Sequence, residues 1–415
     1  MRIVQVNKFH FVKGGAERYY LDLSAAQTRR GDVVRHLAMR HPRNLPATGG
    51  DAFVQEVDYR GRMGAWQMAR MGVRTIYNRE AAGLARRMAL EDEKPAVAHL
   101  HNIYHQLSPS VISAFARAGV PMVQTLHDYK LICPAYLLMT GGEICERCRG
   151  GRYFEAARHR CLLEARGASV VAALEAYVHA LLRTYVKVAR FLCPSRFMLE
   201  KVASFGVPRE KLIHLPYFLA IERYAWSPTP RPRPGEPMVA VYVGRLSREK
   251  GMPTLVEAVA SLPPGRLRLD VLGEGPLQAE LEDRARRSCP DGRIRFLGYR
   301  SGADLFDAVR AASFAVVPSE WYENLPYSVL EPFALGRPVV GARIGGIPEL
   351  VRDRVTGRLF EPGQAASLAE ALAWMAGPDA DLAGMGQEAR RTIERDHAED
   401  EHLERLRAIY AEAAA

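Results

Sequence analysis

PSEWYENLPYSVLEPFALGRPVV, residues Pro318–Val340, is the stretch whose reading organises this 415-residue chain. It follows an apolar run, Phe314 to Val317, that reads as a buried strand. From Tyr327 onward Val329, Leu330, Phe333, Ala334 and Leu335 recur at helical spacing, so Glu331 is expected on an amphipathic helix. Glu323 lies eight positions earlier, a little over two helical turns. The two carboxylates share a side only if Glu323 sits at the helix entrance and the intervening turn directs it inward. Acids at the mouth of a strand-to-helix turn suit a ligand with several hydroxyls. The simpler alternative is a solvated acid followed by a first-turn acid that favours the helix dipole.

Working outward, the run MVAVYV before Gly244-Arg245 reads as another strand, and Lys250-Gly251 opens the following helix. Two cations five residues apart in a strand-to-helix loop suit a diphosphate, Arg by paired hydrogen bonds and Lys as a point charge. The spaced glycines and Lys-Ser/Thr pair of a Walker loop are missing. Leu269–Gly273 is the next strand and ends in LGEGP; downstream, Gly345-Gly346 precedes Ile347-Pro-Glu349 and offers backbone N–H groups at a helix start. Strands alternate with helices through most of the chain, the pattern of doubly wound α/β architecture. A stretch with five prolines, AWSPTPRPRPGEP (225–237), has little that could pack and reads as a linker.

In the first half, Gly14-Gly15 separates the opening strand from a helix that begins near Ala16. Two strand ends deliver histidines, His99 and His101 in one and His127-Asp128 in the next. Ligands of open α/β sheets bind at such ends. His99 reads as structural, whereas His127 is the better functional candidate. Ser195 is placed to cap the helix that begins at Arg196. Residues 62–94 read as helical and carry six arginines, starting at Arg62, among Trp66, Met68 and Met71. Such a stretch can lie on anionic lipid, although its arginines do not share one face. Cys133, Cys145, Cys148 and Cys161 fall within 29 residues, with CERC at the centre. Their spacing suggests a structural zinc site, with reduced free thiols or disulfide and redox chemistry as alternatives.

Length points to two domains. Residues 1–215 hold 32 Lys/Arg against 18 Asp/Glu, and residues 216–415 hold 25 against 29. A basic half beside a mildly acidic one suggests that the first half meets something anionic, with scattered solvated arginines as the alternative. The opening MRIVQVNKFH lacks the apolar stretch of a secretory signal, and no run is long enough to span a bilayer. A cytoplasmic protein is expected, with any membrane contact peripheral, at the inner face of the cell membrane.

In order, the second half contains GRLSREKG, LGEGP, PSEWYENLPYSVLEPFALGRPVV, GGIPELV and TGRLFEPG; the first contains KGGAER, LHNIYHQLSPS, TLHDYKLICP and PSRFMLEKVASFGVP. The ordered set, spanning nearly the whole chain, resembles the retaining family 4 glycosyltransferases, in particular those of bacterial surface polysaccharides. The resemblance implies the GT-B fold: two facing Rossmann-like domains with a cleft between them. The corresponding expectation is an acceptor-side domain over 1–220 with a Cys-bearing insertion at 130–165, a linker over 221–237 and a nucleotide-sugar domain over 238–395. A final helix, 396–415, would pack back on the first domain.

Carried over by the resemblance, Arg245 and Lys250 would hold the donor diphosphate, Glu331 the ribose and Glu323 the donor sugar. Gly244, Glu274, Asn324, Leu325 and Pro326 would line the donor pocket. Gly14 and Gly15 would lie beside the diphosphate, and His127 would contact the transferring sugar. The implied partners are a UDP- or GDP-sugar and a glycan or lipid-linked acceptor, with no catalytic cofactor and no nucleic acid. A sugar-nucleotide epimerase and a catalytically inactive glycan- or partner-binding scaffold are the alternatives on the same fold. One position departs from the family's pattern: its usual Pro-Asn at the end of the first half reads Pro216-Tyr217 here.

Overall fold

The computed structural model describes residues 1–46, 49–56, 65–91, 94–230, 232–233 and 235–415, with backbone alone for 65–69. The chain divides into two compact units. The first comprises Met1–Gly141, Cys145–Tyr217 and Asp400–Ala415; the second comprises Gly142–Ile144 and Phe218–Glu399.

The elements up to residue 214 are β1 (Arg2–Val6), α1 (Gly15–Arg29), β2 (Val33–Met39), β3 (Ala52–Val54), α2 (Ala65–Ile76), α3 (Arg79–Ala89), β4 (Val97–Leu100), α4 (Ser110–Arg117), β5 (Met122–Thr125), β6 (Met139–Thr140), β7 (Glu143–Ile144), α5 (Phe154–Arg158), α6 (Arg166–Leu181), β8 (Arg190–Cys193), α7 (Arg196–Ser204) and β9 (Leu212–His214). The first unit's seven-stranded sheet has the order β3-β2-β1-β4-β5-β8-β9. Its strand pairs are parallel. β4 and β5 are buried at every position, as strands covered by helices on both faces should be. The order reverses between β1 and β4, the topological switch point where open α/β sheets take ligands.

The second unit repeats the design with β10 (Met238–Val243), α8 (Met252–Ser261), β11 (Leu267–Leu272), α9 (Gln278–Ser288), β12 (Ile294–Phe296), α10 (Gly302–Ala311), β13 (Phe314–Val317), α11 (Tyr327–Ala334), β14 (Val339–Ala342), α12 (Ile347–Leu350), β15 (Gly357–Phe360), α13 (Ala365–Met375) and α14 (Leu382–Asp396). Its six-stranded parallel sheet has the order β12-β11-β10-β13-β14-β15, and its switch point lies between β10 and β13.

Local chemistry sets several boundaries. Ser195 caps α7, its Oγ accepting from Met198 N at 3.1 Å. The stretch 62–94, read above as a single helical piece, contains two helices: Asn78 accepts from the N–H groups of Glu80 and Ala81 and starts α3 afresh. Arg62 lies outside the described residues, as do the side chains of Trp66 and Met68. After α14 the chain ends in a separate final helix, α15 (Glu399–Ala414). Within the first unit, α15 sends Tyr410 to Gln27 and His402 to the Tyr19 hydroxyl.

The proline-rich stretch packs more than its composition suggests. Thr229 is buried and donates to Gly336 O, and the Ser227 carbonyl accepts from Arg337. Arg337 itself is 1% exposed and also donates to the carbonyls of Arg310 and Leu335. Burial lowers its pKa to about 10, leaving it charged at neutral pH. A buried guanidinium satisfied by carbonyls fastens the strand leading to β10 onto the turn after α11.

Candidate functional site

At the second unit's switch point, the loop after β10 carries Gly244 and Arg245, and the loop after β13 carries Glu323. Lys250, just ahead of α8, places Nζ 2.6 Å from Glu323 Oε1, which also accepts from Ser319 Oγ at 2.7 Å. Glu323 is buried. Burial raises its pKa, but Lys250 and the Ser319 bond outweigh it and hold the carboxyl below the usual range. Lys250 also lies 4.9 Å from the centroid of the Trp321 ring. The Arg245 side chain is exposed and makes no ion pair among the described residues. A cation held by its neighbour and a cation open to solvent thus both lie between β10 and α8.

Two glycines make this approach possible. Gly251 has φ +69°, and a Cβ there would lie 1.7 Å from Pro318 O, so only glycine lets α8 start against the β13 loop. Gly345 has φ +60°, and a Cβ there would meet Glu323 O at 2.2 Å. The neighbouring Gly346 N–H donates to that carbonyl at 2.8 Å. The N–H expected to await a ligand therefore clamps the acid loop, because the loop carbonyl lies within reach and satisfies the donor first.

Glu331 lies on α11, buried, with Oε1 accepting from the Tyr224 hydroxyl at 3.2 Å. Asn324, Leu325 and Pro326 form the buried turn into that helix. Glu274 is exposed in the loop after β11, where its carbonyl accepts from Leu246 N at 3.0 Å. The inward turn required of Glu323 is made.

The first unit's switch point is filled differently. Lys8 follows β1, near Glu17 and Asp128. Burial raises the Glu17 pKa, while Lys8 and the backbone N–H groups of Glu17 and Gly14 lower it; the N-terminus of α1 at Gly14-Gly15 already faces an acid. Burial also lifts Asp128 to about 6.

His127 Nδ1 lies 2.7 Å from the Tyr217 hydroxyl and Nε2 lies 2.9 Å from His101 Nδ1. His101 Nε2 meets Gln5 Oε1 at 2.8 Å. An amide oxygen only accepts, so His101 carries its proton on Nε2. Burial holds His101 far below its ordinary pKa and His127 down at about 3, so both rings are neutral. His127 therefore donates from Nε2 to His101 and accepts from Tyr217 at Nδ1. Beyond Gln5 the chain runs through Gln27 and Tyr410 to His99, which reaches Thr125. His99 is structural, as expected. Tyr217, which stood out only as a departure, is a direct partner of the histidine singled out.

The zinc expectation is not met. A tetrahedral thiolate site places sulfurs about 3.8 Å apart. Among the described residues the only group of three or more metal-type ligand atoms within 4.8 Å of one another is His10, His36 and Asp51. Cys133, Cys145, Cys148 and Cys161 are free thiols. Burial pushes Cys148 up to about 12, with Cys133, Cys161 and Cys145 adding to the rise, and burial also raises Cys133 and Cys161.

Residues 14–217 match the glycosyl transferase 4-like domain, and residues 228–392 match glycosyl transferases group 1. Glycogen synthase of Mycobacterium tuberculosis is 29% identical over 399 residues, covering 90% of this chain and 85% of its own. The putative colanic acid biosynthesis glycosyltransferase WcaL of Escherichia coli is 28% identical over 204 residues, covering 47% of this chain and 50% of its own. The crystal structure of Anabaena Alr3699/HepE in complex with UDP-glucose aligns over 99% of this chain and 100% of that one, with a TM-score of 0.68 at 16% identity. With each of its two Rossmann-like units matched over most of its length, the chain belongs to the group 1 and 4-like glycosyltransferases of the GT-B fold.

Proposed function

We propose that this glycosyltransferase moves a sugar from a UDP- or GDP-sugar to a glycan or lipid-linked acceptor in polysaccharide biosynthesis, retaining the anomeric configuration without a catalytic metal. The observation that carries the reading is the arrangement at the β10–β13 switch point: Lys250 held on Glu323, with Arg245 exposed in the stretch that leads from β10 to Lys250. Arg245 and Lys250 would take the diphosphate, Lys250 using donor positions that Glu323 leaves spare. Glu323 Oε2, the oxygen that neither Lys250 nor Ser319 holds, would accept from a sugar hydroxyl. Glu331 would accept from the ribose. Gly244, Glu274, Asn324, Leu325 and Pro326 would line the pocket. Support comes from the solved Anabaena relative, which was crystallised with UDP-glucose.

In this mechanism the sugar–phosphate bond ionises on the face shielded by the departing diphosphate. The acceptor hydroxyl attacks from that same face, and a β-phosphate oxygen takes its proton. Preorganised positive charge on the leaving group is then the protein's main contribution. On the first unit, Gly14-Gly15 would lie beside the diphosphate and His127 would contact the transferring sugar, as a neutral ring that positions rather than as a base. Acceptors of this kind place the enzyme in the cytoplasm at the inner membrane face, and contact with anionic lipid through the basic first unit belongs to the same proposal.

A panel of UDP- and GDP-sugars followed by thermal shift tests the reading. The matching donor should raise the melting temperature in proportion to the logarithm of its concentration, and product analysis should show the retained anomer. A chain that melts identically with every nucleotide sugar at millimolar concentration does not work this way.

A further inference from the structure

α6 buries one side and leaves an apolar stripe exposed on another. Ala172, Ala173 and His179 face the interior, whereas Val170, Leu174, Tyr177 and Leu181 are exposed. At about 100° per residue these four fall within an arc of about 60°, so they form one stripe along the helix. The exposure is substantial: 50% for Leu174 and 84% for Leu181. The stripe continues in both directions. Phe154 of α5 adjoins it through its backbone N–H, which donates to the Tyr177 hydroxyl at 3.1 Å, and Val186 is exposed just beyond the helix. Of the large exposed apolar residues in the described chain, eight of seventeen lie between 154 and 187.

The exposed, unpaired charges of the same segment are mostly cationic. Arg158, Arg160, Arg166, Arg183 and Lys187 are exposed, and none makes an ion pair among the described residues. The acids of the same segment are otherwise engaged: Glu155 is buried on Arg152 and Glu175 on Lys130, leaving Glu164 as the exposed one.

We propose that the exposed face of α6, with Phe154 and Val186, is a docking surface for an anionic lipid bilayer. Apolar side chains would enter the acyl boundary while the surrounding guanidinium and ammonium groups meet lipid phosphates. Charge selects this occupant: a cationic rim around an apolar stripe complements a negatively charged interface. The surface is distinct from the 62–94 stretch to which lipid contact was first ascribed. It specifies where the proposed membrane contact occurs and is independent of the donor assignments.

Sedimentation with vesicles of phosphatidylcholine alone, or of phosphatidylcholine with phosphatidylglycerol, tests it. The full chain should bind the anionic vesicles at low salt, bind the neutral ones at least about tenfold less, and be released as salt rises. The exposed pair Leu174→Gln and Leu181→Gln should weaken binding to the anionic vesicles by about tenfold or more, and Arg166→Gln with Arg183→Gln should flatten the salt dependence. Thermal melting of both variants should match the parent, and so should donor binding, which separates failure here from failure of the transferase reading. The proposal is overturned if the parent chain ignores anionic vesicles, if the Leu variants bind them as the parent does, or if the stripe instead holds two copies together, seen as a dimer that the Leu variants dissociate.

Discussion

The two units wind their sheets alike and fill the resulting switch points with opposite chemistry. Between β10 and β13 a lysine meets a carboxylate, and an exposed arginine follows β10. Beside β1, β4 and β5 a run of neutral histidines, glutamines and tyrosines satisfies itself internally, and the charged groups next to it, Lys8, Glu17 and Asp128, face one another. Topology determines where a site can form. The side chains at the strand ends determine whether the place stays charged and ready for an anion, or becomes a rigid neutral wall.

The largest expected effect bears on the charged end. Lys250→Ala should cut kcat/KM for transfer by about a hundred- to a thousandfold, the cost of removing a preorganised donor to developing negative charge. It also leaves Glu323 buried without its cation, so its melting temperature should fall as well. Lys250→Ala with Glu323→Gln should recover the melting temperature and not the rate. Glu331→Ala should act mainly on donor KM, by about tenfold or more, as a lost hydrogen bond to a charged group would. Steady-state kinetics on the matched donor checks all three, and unchanged turnover in Lys250→Ala would erase the contrast between the two ends.

A second prediction uses pH to separate the units. His10 is held at about 4 and His127 at about 3, chiefly by burial, with His99 and His101 also well below their ordinary value. Below pH about 6.5 the unfolded chain takes up protons that these folded rings refuse, so the first unit loses stability as pH falls from there toward 4. Asp128 and Glu17, whose pKa values are raised, run the opposite way and offset part of the loss. The second unit's Glu323 has a lowered pKa, so its contribution persists above about 4.5 and fades only below that. Hydrogen-exchange protection should therefore fall in β4 and β5 between pH 7 and 5 while β10 and β13 hold; a uniform loss would break the distinction.

The sequence made the fold readable because alternating apolar runs and helical periods recur in both halves, and strand ends carry the polar residues. The types of the donor-loop residues were readable too. Their contacts were not: Lys250 and Glu323 are 73 residues apart, and nothing local says that one neutralises the other. Gly345-Gly346 looked like an open anion cradle because a turn's N–H groups are visible in sequence while the carbonyl they meet is not. Arg337 gave no signal at all, since an arginine after a helix is ordinarily solvated. The cysteines misled in the other direction: their spacing fits a metal, but among the described residues no three of their sulfurs gather within 4.8 Å of one another.

The smallest effect concerns Tyr217, and it tests the neutral wall from within. Tyr217→Phe removes the O–H donor to His127 Nδ1, so stability should fall by only about 0.5–1.5 kcal/mol. The diagnostic readout is the ring itself. A hydrogen bond donated to Nδ1 favours the unprotonated imidazole, so its loss should raise the His127 pKa from about 3, against the continuing pull of burial. The His101 partner still takes the Nε2 proton, so the tautomer should stay as it is. Ring nitrogen chemical shifts across a pH titration report both quantities, with His101→Ala as the control that releases the other nitrogen. A Tyr217→Phe protein whose His127 titrates as before would mean that burial alone keeps the ring neutral and that Tyr217 does not position it.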